Sequence, residues 1–123
     1  MSDQRSAAKN LANMMLGLKD YGSAAVVISG CDGAFTSCSA EIRQRVEQLK
    51  VEPSETAITA LKQVLEKARE EIRDHEKWEQ EIFSMVSQDD QQVAPLKQAF
   101  SASAIARNKL LQEVSEASNF LEA

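Results

Sequence analysis

The residues most able to do chemistry lie in one stretch. Glu71, His75 and Glu79 are spaced i, i+4, i+8, with Asp74 alongside. On a helix that spacing puts an imidazole and two carboxylates on one face, a donor set that can share a divalent cation. His75 is the only histidine in the chain. A di-iron carboxylate bundle needs two Glu-x-x-His units, and the residue three before His75 is Ile72. The pattern therefore favours a polar layer inside a helical bundle, with a metal-binding bundle built on His75 and its neighbouring carboxylates as an alternative. No metal and no cofactor is expected.

Cys31 and Cys38 are seven residues apart, outside the two-to-four spacing of structural zinc motifs. On a continuous helix their α-carbons would lie about 10.5 Å apart, beyond disulfide reach. They read as small buried thiols. Gly30-Cys31-Asp32-Gly33 lacks the Gly-Lys-Ser/Thr ending of a phosphate loop and reads as a hinge or kink. With one histidine, no paired acid–base motif and no cofactor loop, no catalytic residue is assigned and an enzyme is not expected.

The elements that carry these residues are helical. The chain has 123 residues, of which 43% are hydrophobic and 27% charged, with four glycines and two prolines. That composition fits one domain over 1–123 and is too poor in turn residues for an all-β fold. Pro53 marks a boundary, Ser54 a helix N-cap and Glu55 a favourable first-turn acid. A seven-residue a/d row follows through Ile58, Leu61, Leu65, Ala68, Ile72, His75, Glu79, Ile82 and Val86, widened by Ala57, Val64, Trp78 and Met85, and predicts a helix to about Ser87. A last helix starts near Asp90, with Pro95 in its first turn. Its row runs from Val93 through Leu96 and Phe100 to Leu121, interrupted by Ser103 and Arg107.

The first segment carries one register from Leu11, Met14, Leu18, Tyr21, Ala25 and Ile28 through Asp32 to Leu49. An unbroken register favours a continuous helix, kinked at Gly30–Gly33, over a true reversal there. The expected fold class is thus all-α: an elongated antiparallel bundle of three long helices with coiled-coil-like seams, the first kinked or broken near Gly30–Gly33. A continuous first helix would be about 70 Å long against about 50 Å for the second. Leu11, Met14, Met15 and Leu16 would then project beyond the hairpin as a candidate self-association surface, which predicts a homodimer. Trp78 is expected to pack near Ile28.

Charge excludes some partners. Fourteen basic and 19 acidic residues give a net charge of −5, and the excess of acid lies within 51–90. A general nucleic-acid binder needs the opposite balance. Lys67 with Glu71, Glu70 with Arg73, and Lys77 with Glu81 are spaced as helix-surface ion pairs. Arg43, Arg45 and Lys50 form a small basic cluster suited to a helix C-terminus. No apolar run reaches membrane-spanning length and no signal-peptide pattern opens the chain, so a cytoplasmic protein without membrane contact is expected. The function expected is that of a non-enzymatic protein–protein interaction module, such as an adaptor, an assembly factor or an export-type chaperone. The alternative is an acidic inhibitor that blocks a nucleic-acid-binding site on a partner.

Overall fold

The computed structural model describes residues 2–86 and 90–122, with side chains from residue 6 onward; the expected helix end at Ser87 lies outside that range. All regular structure among the described residues is helical: α1 (Ser2–Gly17), α2 (Tyr21–Gly30), α3 (Gly33–Val51), α4 (Glu55–Met85), a single 3-10 turn (Gln91–Val93) and α5 (Ala94–Glu122). No helix among them is long and apolar enough to cross a membrane.

The chain divides into two compact units, each discontinuous in sequence. The first comprises residues 1–33 and 77–105. The second comprises residues 34–76 and 106–123. The core of the first is Ala12, Ala24, Ile28, Trp78, Ile82, Val93, Leu96, Ala99 and Phe100. Trp78 and Ile28 share this cluster, and the Trp78 and Phe100 rings meet edge-to-face at 6.0 Å. The second core draws on three helices: Phe35, Cys38, Ile42 and Leu49 from α3, Leu61, Leu65, Ala68 and Ile72 from α4, and Leu110, Val114 and Ala117 from α5.

The starts of α4 and α5 follow directly from local chemistry. The Ser54 hydroxyl accepts the Ala57 amide at 3.1 Å, capping α4 behind Pro53. The Asp90 carboxylate accepts the Gln92 amide at 2.9 Å, and Pro95, which has no amide to satisfy, is the second residue of α5.

The continuous first helix expected from the register is instead three helices, so the three-helix count becomes five α-helices among the described residues. The main break is at Leu18–Asp20. The Asp20 amide donates to Met15 O at 2.8 Å and the Lys19 amide to Leu16 O at 3.0 Å. These are the paired bonds of a Schellman closure, with Lys19 in the left-handed region at φ 59°. Asp20 then caps the next helix, accepting the Ser23 amide at 3.2 Å and its hydroxyl at 2.7 Å. Its carboxyl is held below the usual 3.8, first by the side-chain bond from Ser23 and then by the amide bond. The chain turns here, and α1 packs on α2.

The second interruption, at Cys31–Asp32 between Gly30 and Gly33, is a tightened last turn: Cys31 N–H donates to Ile28 O at 3.1 Å and Asp32 N–H to Ser29 O at 3.2 Å. The two interruptions act differently on helix phase. Across Cys31–Asp32 the a/d row stays inward, with Ile28, Phe35, Ser39 and Ile42 all buried. Across Leu18–Asp20 it is lost: Leu11, Met14 and Leu18 face outward, while Ala12 is buried and Met15 and Leu16 pack on the core.

Candidate functional site

His75 sits on α4 in the second unit, fully buried. Its Nδ1 lies 3.2 Å from Nη1 of Arg107 on α5. A guanidinium can only donate, so Nδ1 accepts and the ring proton resides on Nε2. The Phe35 ring from α3 meets the imidazole edge-to-face at 5.0 Å. Arg107 Nε is 3.7 Å from Glu76 Oε1. Fully buried His75 on the α4 row therefore faces half-buried Arg107 on the α5 row. A cation at Nδ1 would have to displace the guanidinium. Among the described residues, no three His, Cys, Asp or Glu side chains come together as a metal-holding group.

In the first unit a second pair of polar row residues meets. The Ser103 hydroxyl, fully buried on α5, donates to Asp32 Oδ1 at 2.6 Å. This bond anchors the Cys31–Asp32 turn to α5. The Cys31 thiol, half-buried, points back to Val27 O at 3.6 Å, and Cys38 is buried; neither is in a disulfide.

The surface charges pair both along a helix and between helices of the second unit. Lys67 Nζ reaches Glu41 on α3 at 3.3 Å. Glu66 receives Arg69 at 3.6 Å and Arg73 at 3.3 Å. Arg43 Nε donates to Ser39 O at 3.3 Å, Arg45 bonds Gln48 at 3.1 Å, and Lys50 lies 3.5 Å from Glu47 and over the Phe120 ring. The basic cluster is thus engaged locally, with Lys50 in the last turn of α3.

Of the four candidate self-association residues, Met15 and Leu16 are partly buried against the first unit's own core, whereas Leu11 and Met14 are exposed. The projecting overhang from which that surface was inferred is absent, because α1 folds onto α2. What remains is an outward row, Leu11, Met14 (59% exposed) and Leu18 (71%), at i, i+3, i+7.

Two grooves accompany this row. In the second unit a groove of about 430 Å³ between α3 and α5 has Ile42, Val46, Ala117 and Phe120 as its apolar lining and residues of both charge signs on its walls. In the first unit a shallower one of about 380 Å³ runs between α2 and α5, lined by Ala25, Val26, Ser29, Pro95, Gln98, Ala99 and Ala102. Its lining contains no charged residue. The sequence carries the signal for it: residues 21–31 and 98–106 are both free of charge in a chain that is 27% charged.

Comparison of the chain with protein-family models, with curated proteins and with solved structures finds no significant match.

Proposed function

We propose that this chain is a non-enzymatic protein–protein interaction module of the adaptor, assembly-factor or export-chaperone kind. One observation carries the reading: α1 is apolar on two faces. One face, with Ala12, Met15 and Leu16, is used inside the first unit; the other presents Leu11 and Met14 to solvent, with Leu18 just past the helix end. Each such side chain favours burial by about 1.5–3 kcal/mol. A row at i, i+3, i+7 is the half-seam that an amphipathic helix of another protein completes.

Neutral charge next to this row supports a protein partner. Ala8, Asn10, Asn13 and Gly17 lie among and beside it. The acidic-inhibitor reading is less well supported. A mimic of nucleic-acid phosphate needs unneutralised carboxylates in a row, and Glu66 on α4 is bracketed by Arg69 and Arg73.

The test is chemical cross-linking in native cell extract with the wild type and with Leu11→Glu/Met14→Glu. Both positions are exposed, so the double variant should keep its helicity and melting temperature. A partner cross-linked through α1 in the wild type and lost in the variant supports the reading. Identical cross-linked partners in both would remove it.

A further inference from the structure

We propose that Asp32–Gly33 is a site of spontaneous self-modification, in which Asp32 cyclises onto the Gly33 amide and reopens as isoaspartate, and that the Ser103 hydroxyl is the group that restrains it.

The chemistry starts from the sequence. Asp32 is the one aspartate or asparagine of the chain that glycine follows. A side-chain carboxyl can be attacked by the backbone nitrogen of the next residue, and crowding at that nitrogen opposes the ring closure. Glycine, with no Cβ, leaves it open. In the closure the N–Cγ bond forms, the Cγ–OH bond breaks, and the hydroxyl leaves as water with the amide proton. Water then opens the succinimide. Attack at Cγ restores aspartate; attack at the α-carbonyl leaves the main chain running through Cβ, as isoaspartate. The only co-reactant is water.

The structure supplies the setting. Asp32 lies in the interruption between α2 and α3, outside both helices. Gly33 is the first residue of α3, so its amide has no acceptor within its own helix. Glycine is not required here by the fold: no glycine has a positive φ, and a Cβ at residue 33 would meet no atom within 4 Å. By contrast Asp20, also in a turn, is followed by Tyr21, and Asp74 lies inside α4 before His75.

One bond opposes the reaction. Asp32 Oδ1 accepts the Ser103 hydroxyl at 2.6 Å, and Ser103 is fully buried on α5. Closure requires the carboxyl to turn onto the Gly33 nitrogen and to lose one oxygen. A carboxylate whose oxygen is held by another helix is restrained in both. Intramolecular attack depends steeply on such positioning, and a hydrogen bond to a charged group is strong enough to slow it by about tenfold. Isoaspartate adds a main-chain atom to the turn and displaces the acid from Ser103, so the conversion releases the turn from α5.

The test follows isoaspartate in the full chain during prolonged incubation at mildly acidic pH. The product is counted by methyl transfer from labelled S-adenosylmethionine with an isoaspartyl O-methyltransferase and located by mass spectrometry. Wild type, Ser103→Ala, Gly33→Ala and Ile82→Val are compared, with circular dichroism establishing that each is folded. Label should accumulate at residue 32, about tenfold faster in Ser103→Ala than in the wild type. Ser103→Cys, close in volume and a weaker donor, should show the same direction and replaces Ser103→Ala if that variant does not fold. Label should be all but lost in Gly33→Ala, whose Cβ has room in the turn but crowds the attacking nitrogen. Ile82→Val weakens the core of the first unit without touching the bond and should keep the wild-type rate. Equal rates in the wild type and the Ser103 variants overturn the proposal, as does an equal acceleration by Ile82→Val. Label located elsewhere than residue 32, or undiminished in Gly33→Ala, overturns it as well.

Discussion

Ser103 and Asp32, 71 residues apart, are joined by a hydrogen bond of 2.6 Å that fixes the turn between α2 and α3 against α5. The acceptor is a half-buried carboxylate and the donor a fully buried hydroxyl. Hydrogen bonds to charged groups contribute about 1.5–3 kcal/mol, so Ser103→Ala should lower stability by that amount in urea denaturation. In an Asp32→Asn background the same substitution should cost less, about 0.5–1.5 kcal/mol for a neutral bond. Equal losses in both backgrounds would mean that the carboxylate charge contributes nothing.

Lys19 closes α1 at φ 59° with a side chain that disfavours this region. Glycine adopts it without the Cβ penalty of about 1–2 kcal/mol. Lys19→Gly should therefore stabilise the protein by about 1 kcal/mol after its extra backbone entropy is set against the gain. A thermal melt reads the change, and a lowered midpoint would contradict the Schellman closure.

Asp20 gives the protein an acid-sensitive joint. Its carboxyl is held below 3.8 by bonds from the Ser23 hydroxyl and amide that only the folded chain provides. The stabilisation is thus complete above the ordinary value and is lost as the pH falls through the lowered one. Carboxyl chemical shifts of Asp20 should titrate below 3.8, and the Ser23 amide should lose protection over the same range. Asp20→Asn, which keeps an N-cap acceptor, should abolish that titration while leaving α2 formed at neutral pH.

Trp78 is the chain's only tryptophan and is buried against Phe100. Trp78→Ala should cost about 3–5 kcal/mol. Its fluorescence reports the first unit alone, whereas far-ultraviolet circular dichroism reports every helix. Because α4 and α5 supply residues to both cores, we expect the two signals to follow one transition in denaturant, as for a single cooperative domain. Separate midpoints would divide the chain thermodynamically where it divides structurally.

Much of α4 and α5 was legible before any coordinates. Of the expected α4 row, Leu61, Leu65, Ala68, Ile72, His75 and Ile82 are buried and Ile58, Glu79 and Val86 half-buried, while Met85 on the widening stripe is exposed; Pro53, Ser54 and Pro95 mark the boundaries. The polar interruptions at Asp32, His75, Ser103 and Arg107 were visible too, but periodicity along one helix does not say which residue on another will answer it. The break at Leu18–Asp20 was hidden for a specific reason. Helix-stopping glycine is expected at the left-handed position, and here that position is Lys19 while Gly17 lies two residues earlier, still within α1. With the stop unrecognised, an intact heptad register ran through it, and Leu11, Met14 and Leu18 were assigned to a continuing seam. The exposed α2/α5 face was missed because small, uncharged residues look the same in a sequence whether they are buried or left open.

The interleaving of the two units bears on how the chain emerges during synthesis. Residues 1–33 close their unit with 77–105, and residues 34–76 close theirs with 106–123. Neither core can close on a nascent chain that still lacks α5. Local events, the turn of α1 onto α2, the capping of α4 and the meeting of α3 with α4, can precede the synthesis of α5, but the apolar side chains that α5 covers stay open until then. Ribosome-bound intermediates of increasing length should accordingly remain protease-sensitive and gain resistance only when α5 clears the exit tunnel.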